Sequence, residues 1–222
     1  MTKHQKEILV LLIVVIGIIV NAIIVNDRIV PLISAVCGVS YTALAGMGFP
    51  ICYPVGIVGI FFYCTLAYQN SLWGNLLLYA CYYLPMQIIG FINWNKNLHK
   101  NKNEIVKRYT SKKELIFVSI VLICLFFVVL SLLYYFKDSH PILDSITTTL
   151  SVAGMYFTVR RAIEQWVCWM IVNSLSLLMW LQVALGGVKV YSTLVMWILY
   201  TFMAFYFYAQ WRKEIKSAEL NI

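Results

Sequence analysis

Trp166-Val-Cys-Trp169-Met-Ile-Val-Asn173-Ser-Leu-Ser176-Leu-Leu-Met-Trp180-Leu-Gln-Val-Ala-Leu185 contains no charged residue. A run of this length is what an α-helix needs to cross the roughly 30 Å hydrocarbon core of a bilayer, and it is too long for a barrel strand. Trp166, Trp169 and Asn173 fall at i, i+3 and i+7, so one face carries two indoles and a carboxamide, and Ser176 and Trp180 extend the stripe. A polar amide at membrane depth is costly unless it faces protein or a water-filled cavity. Aromatic walls beside it suit a flat, polar ligand. The plainer alternative is that the tryptophans anchor the helix at the interface and Asn173 joins two helices.

The rest of the chain has the same character. Of 222 residues, 62% are hydrophobic and 12% charged, and the mean hydropathy is +0.81. Soluble domains carry about 25% charged residues, so the chain reads as an all-α integral membrane protein. Eight spans are expected: Ile8 to Val25, Ile29 to Phe49, Ile51 to Tyr68, Leu72 to Asn93, Leu115 to Phe136, Ile142 to Ala162, Trp166 to Leu185 and Val190 to Trp211. The second and third are divided at Gly46, Gly48 and Pro50, because the stretch from Ile29 to Tyr68 is too long for one crossing. Asp144 and the hydroxyl run Ser145 to Thr149 make the sixth the least apolar.

Charge orients these spans. With both termini in the cytoplasm, fourteen lysines and arginines lie inside, and only Arg28, Lys137 and Lys189 lie outside. That is the positive-inside bias of a multi-pass protein in a cell membrane. The net charge of +8 therefore reports orientation, and no nucleic-acid partner is expected.

Chemical motifs are missing where an enzyme would need them. Cys37, Cys52, Cys64, Cys81, Cys124 and Cys168 all lie in predicted spans without a close CxxC pair, so they read as small packing residues. His4, His99 and His140 lack metal-ligand spacing, and there is no phosphate-cradling G-x-x-x-x-G-K-[ST] loop. The first apolar run lacks a small-residue cleavage pattern and reads as a retained helix. No cofactor, metal or catalytic residue is expected. A membrane enzyme would cluster His, Asp or Glu at the bilayer interface. An ion-coupled carrier would keep a carboxylate near mid-membrane, whereas Asp144 and Glu164 fall near helix ends. Asp144 is expected to cap its helix start, and Glu164 to pair with Arg160 four positions earlier.

Weak internal repetition organises the spans. A shift of 117 places Tyr83 on Tyr200, Trp94 on Trp211, Lys96 on Lys213, Cys52 on Trp169 and Gly56 on Asn173. The domains then read as an extra N-terminal helix (1–28), a first three-helix bundle (29–95), a basic cytoplasmic loop with a linker helix (96–137), and a second bundle with a cytoplasmic tail (138–222). This 3+1+3 plan resembles the parallel-repeat architecture of the SWEET carriers, whose ligand lies between two bundles. In the first bundle Tyr79, Tyr83, Gln87, Gly90 and Trp94 make a second stripe, with Pro85 expected to kink the helix.

Tyr83-Leu-Pro-Met-Gln87-Ile-Ile-Gly90-Phe-Ile-Asn93-Trp94, together with Trp166-Val-Cys-Trp169-Met-Ile-Val-Asn173, resembles the Pnu-type vitamin transporters, most closely their nicotinamide riboside branch, PnuC. The resemblance covers nearly the whole chain. It implies facilitated diffusion of nicotinamide riboside into a bacterial cell, directional uptake through phosphorylation by a cytoplasmic kinase, and a homotrimer with one pathway per protomer. It also implies ligand contact at Gln87, Trp94, Trp166, Trp169 and Asn173, to which helix geometry adds Tyr83, Asn93 and Trp180. Another vitamin, thiamine above all, on the same fold is one alternative. The other is the vitamin-binding subunit of an ATP-driven importer.

Overall fold

In a computed structural model, the described residues are 3–24, 29–69, 76–99, 104–137, 140–186 and 191–219, without the side chains of 180, 183 and 191–193. They form eight helices: α1 (Lys3–Ile24), α2 (Ile29–Met47), α3 (Cys52–Gln69), α4 (Leu84–Lys96, entered through a π-helical turn at Leu78–Tyr83), α5 (Lys112–Tyr135), α6 (Pro141–Val159), α7 (Glu164–Leu185) and α8 (Tyr191–Glu219). Among the described residues, six are long and apolar enough to cross a membrane: α1, α2, α3, α5, α6 and the Leu194–Ala218 part of α8. The chain is an all-α, multi-pass membrane protein. The other two helices, α4 and α7, are the ones that carry the two polar-aromatic stripes. Expected spans agree with the observed helices to within a few residues at most of the described ends, though α1, α5 and α8 run on into charged sequence, and the expected ends at Val25, Leu72 and Val190 lie outside the described residues.

Two compact units divide the chain, Met1–Val106 and Lys107–Ile222. In the first, α1 packs on α2, α2 on α3, and α3 on α4 and its π turn. In the second, α5 packs on α6, α6 on α7, and α7 on α8. Lipid tails are as apolar as leucine, so membrane helices associate through close packing of small residues rather than by hiding apolar ones. The buried positions on α2 and α3 accordingly include Ala43, Ala45, Gly46, Cys52, Gly56 and Ala67. At Gly59 an added Cβ would lie 2.9 Å from the Cys37 Cβ, so there the helices meet almost backbone to backbone. By contrast, the only buried side chain on α5 is Val118, and Ile116, Phe117, Ile120 and Phe127 on the same helix are exposed. In a bilayer, those side chains meet acyl chains.

Local chemistry explains the helix boundaries. α2 stops because Gly48 adopts φ 85°, and Gly48 N–H and Phe49 N–H donate back to the carbonyls of Ala45 and Leu44, each at 3.0 Å. Ser111 caps α5, its hydroxyl accepting from Glu114 N–H at 3.3 Å. Several hydroxyls of α6 return to its own backbone, whereas the buried Thr149 hydroxyl has no hydrogen-bond partner among the described residues. Ser145 donates to the Pro141 carbonyl at 2.6 Å, Thr147 to Leu143 at 3.0 Å and Thr158 to Gly154 at 2.8 Å. Asp144 lies in the first turn of α6, where a carboxylate suits the free amides. The helix start itself, at His140, has no side-chain cap.

Pro85 follows a π turn in which Leu84 N–H reaches the Tyr79 carbonyl, so the disturbance expected at the proline takes the form of a π turn. Tyr79 stacks on Tyr63 of α3 at 4.0 Å, so the stripe keeps to the side of α4 that packs on α3. One expectation needs correction: Glu164 does not pair with Arg160. α6 ends at Val159 and α7 begins at Glu164, with Arg161 between them at φ 60°, so the four-residue helical spacing is broken. Arg160 Nε instead donates to Glu114 at 3.0 Å, and Glu164 accepts from the Thr110 amide (3.0 Å) and hydroxyl (2.7 Å).

Candidate substrate site

In the first unit, Gln87 and Trp94 lie on the inner face of α4, 5% and 0% exposed. The stretch Leu84–Lys96 places Gln87, Gly90 and Trp94 at helical spacing, and all three are buried. α3 supplies the opposing surface. A Cβ on Gly56 would lie 2.7 Å from the Gln87 amide nitrogen and 2.8 Å from Tyr41 Cδ2, so the carboxamide and the Tyr41 ring both rest on bare backbone. The Gln87 amide and the Tyr41 hydroxyl are hydrogen-bonding partners. Gly90 performs the same service one turn along, where an added Cβ would fall 2.2 Å from the Tyr53 ring. The Tyr53 ring meets Trp94 edge-on at 5.0 Å and Tyr41 at 6.3 Å. The Gln87 Oε1 is buried and has no hydrogen-bond partner among the described residues.

Tyr83 is half-buried in the π turn and packs edge-on to Tyr79 at 4.8 Å. Asn93 is half-buried, and its Oδ1 accepts from Asn97 Nδ2 at 3.0 Å, which closes the end of α4.

In the second unit, α7 buries Trp166 (2% exposed) and Asn173 (7% exposed). Trp166 stands 5.4 Å from Phe207 and 5.7 Å from Trp211, the latter edge to face. Its Nε1 is buried with no acceptor among the described residues. Trp169 is half-buried and lies on Gly154 of α6, where an added Cβ would come within 2.9 Å of the indole. The Trp180 side chain lies outside the described residues. Each unit therefore gathers its own part of the predicted set: Tyr83, Gln87 and Trp94 with α3, and Trp166, Trp169 and Asn173 among α6 to α8.

Helix pairing adds residues that the one-dimensional stripes did not name as contacts: Tyr41, Tyr53 and Gly56 in the first unit, Phe207 and Trp211 in the second. Only Gly56 and Trp211 carried a prior signal, through the 117-residue repeat. Tyr41 and Tyr53 had none, because aromatic residues are common on every span.

Charge collects at the helix ends of the second unit. Glu114 accepts two hydrogen bonds from Arg108 Nη2 at 2.8 and 2.9 Å, one from Arg160, and one from the Tyr156 hydroxyl at 3.1 Å. This carboxylate pushes the Arg160 guanidinium above its usual pKa, so the group stays charged. The Arg108 backbone is fastened to the α6–α7 elbow, its N–H donating to the Arg161 carbonyl and its carbonyl accepting from Ile163 N–H, each at 3.1 Å. Among the described residues no group of His, Cys, Asp and Glu could hold a metal, and the six cysteines are free.

The model of the family described as nicotinamide mononucleotide transporter matches residues 28–213. The chain belongs to this family, the PnuC family. Its members are transporters and not enzymes. The nicotinamide riboside transporter PnuC of Neisseria mucosa is 24% identical over 189 residues, covering 83% of this chain and 72% of that protein. PnuC of Haemophilus influenzae is 27% identical over 195 residues, covering 86% and 82%. The crystal structure of the vitamin B3 transporter PnuC superposes with a TM-score of 0.81 at 23% identity, covering 98% of this chain and 94% of that one. That likeness establishes a PnuC-like fold for the whole of the described chain.

Proposed function

We propose that this chain carries nicotinamide riboside by facilitated diffusion across the bacterial cell membrane, both termini facing the cytoplasm. A cytoplasmic kinase that phosphorylates the incoming nucleoside makes uptake directional. The observation that carries this reading is the buried, unpartnered Oε1 of Gln87. Leaving a buried acceptor unsatisfied costs about 1–3 kcal/mol, which a ligand N–H donated to it would recover. A carboxamide ligand has such donors. In the second unit the buried Trp166 indole N–H is likewise without a partner among the described residues and is a donor for a ligand acceptor. Gln87, Trp94, Trp166, Trp169 and Asn173 are the proposed contacts, with Tyr83, Asn93 and Trp180 at the margins. Indole faces favour the cationic pyridinium ring by about 0.5–2 kcal/mol. Lys107 lies behind Trp211 and is paired with Glu214, so it is not offered to a phosphate.

The reading extends to architecture. α2–α4 and α6–α8 form the two triplets of the 3+1+3 plan, α5 is the linker and α1 the extra helix, with domains at 1–28, 29–95, 96–137 and 138–222. Rocking of the triplets gives alternating access, with hinges at Gly46 to Pro54, and protomers associate as a homotrimer. No cofactor or coupling ion takes part. Calorimetry of the purified protein with nicotinamide riboside, thiamine and riboflavin in parallel tests the substrate. Binding of nicotinamide riboside alone is the expected result. Preference for thiamine would overturn it in favour of another vitamin. Vesicles containing only this protein should exchange labelled nicotinamide riboside without ATP, and failure to do so would point to a subunit of an ATP-driven importer.

A further inference from the structure

A buried cation stands behind the tryptophan pair of the second unit. The Lys107 side chain is only 4% exposed, its Nζ lies 5.1 Å from the centroid of the Trp211 ring, and it is ion-paired with Glu214. Glu214 also accepts from Gln210 Nε2 at 3.2 Å. Trp211 is completely buried and meets Trp166 edge to face at 5.7 Å. Lys107 itself is anchored by its neighbour, because Arg108 is tied by two backbone hydrogen bonds to the elbow from which α7 rises. Elbow, lysine and both indoles thus form one connected set that ends on Trp166.

A lysine is almost never buried this completely without a reason, since removing an ammonium from water is expensive even when it is paired. An apolar side chain would pack behind Trp211 at less cost. What the ammonium adds is direction. Attraction to an aromatic quadrupole acts on the ring face, so it holds Trp211 in one orientation where an alkyl group would let it tilt. Trp211 meets Trp166 edge to face, and Phe207 lies 5.4 Å from the same indole.

From this we infer that Lys107, Glu214 and Trp211 are positioning residues, setting the plane of Trp166 so that the electron-rich face of its indole meets a cationic ring. The inference rests on Trp166 being a substrate contact. Orientation matters unequally to different ligands. A tilted indole keeps most of its dispersion contact with any flat ring but turns its positive edge toward a cation. Loss of positioning should therefore weaken binding of the cationic pyridinium form more than that of its uncharged dihydropyridine analogue.

The test compares affinities of purified full-length protein for nicotinamide riboside and for its dihydropyridine form. W211F and the charge-balanced double variant K107M/E214Q are measured after thermal melting confirms folding, alongside K107R, which keeps the cation. W211F and K107M/E214Q should each lose about tenfold for the cationic ligand and less than about threefold for the neutral one, with K107R close to wild type. Equal losses for both ligands would mean a merely structural role and would overturn the inference, as would no loss for either. If W211F does not fold, the comparison is read from W211Y and the double variant. W166F separates the two levels. If it leaves binding of both ligands unchanged, Trp166 is not a substrate contact and the reading of the site itself fails. If it abolishes the preference for the cation while the other variants retain it, only the positioning role fails.

Discussion

Replacing Gly56 by alanine adds one methyl group where the backbone of α3 supports the Gln87 carboxamide. That methyl would sit 2.7 Å from the amide nitrogen and 2.8 Å from the Tyr41 ring, about 0.7 Å short of the closest ordinary contact at 3.4 Å. Tyr41 is hydrogen-bonded to the same amide, so both neighbours are committed and neither is a free surface chain end. Overpacking of this kind costs about 1–3 kcal/mol of stability. Alanine returns about 1 kcal/mol through its better helix propensity, which leaves a net loss of up to about 2 kcal/mol. Binding should suffer separately. Turning the carboxamide should remove one buried hydrogen bond to the ligand, about 1–3 kcal/mol, or roughly five- to 150-fold in affinity. Thermal unfolding in detergent reads the first effect and calorimetry with nicotinamide riboside the second. Gly17→Ala is the matched control, because an added Cβ there meets nothing within 4 Å and should leave both quantities unchanged or slightly raise stability. Wild-type affinity in a folded Gly56→Ala protein would refute the idea that the Gln87 carboxamide, resting on Gly56, holds the substrate.

Gly90→Ala places a methyl 2.2 Å from the buried Tyr53 ring, a harsher clash, and should lower thermal stability by about 1–3 kcal/mol while disturbing the Tyr53–Trp94 contact, which near-ultraviolet circular dichroism detects. Asn173→Ala should weaken nicotinamide riboside binding by about 1–3 kcal/mol in calorimetry, with little change in unfolding temperature. Glu114→Gln leaves Arg108 and Arg160 without their shared carboxylate and should destabilise by about 1 kcal/mol, since both arginines are partly exposed, with the difference from wild type shrinking in high salt. Gly48→Ala imposes a side chain on φ 85° and should slow exchange across vesicle membranes while equilibrium binding stays near wild type; an unchanged exchange rate would remove the hinge.

Hydropathy and spacing reached far because a bilayer leaves so few choices. Once each backbone polar group must be satisfied within its own segment, an apolar run of this length can only be a helix, so eight helices and their approximate ends were legible from composition alone. The stripes on α4 and α7 were legible for the same reason: an amide or a cluster of indoles is conspicuous against leucine and isoleucine. Departures came where a local rule met a neighbour. Pro85 announced a disturbance in α4, and the structure gives it the form of a π turn at Leu78–Tyr83. Glu164 and Arg160 looked like a pair from their four-position spacing, yet the two helices part between them and Arg161 takes a left-handed conformation there.

By itself the sequence determined that this is a bundle of membrane helices, which faces carry the unusual polar and aromatic groups, and that charge concentrates at the helix ends. Only the tertiary structure decided the company those groups keep: Tyr41 and Gly56 under Gln87, Tyr53 against Trp94 and Gly90, Gly154 under Trp169, and Lys107 behind Trp211. The physical reason is one of range. Periodicity is a property of a single helix and can be read residue by residue. Contact between helices depends on where small residues let two backbones approach, and many pairings of the same stripes would satisfy the bilayer equally well.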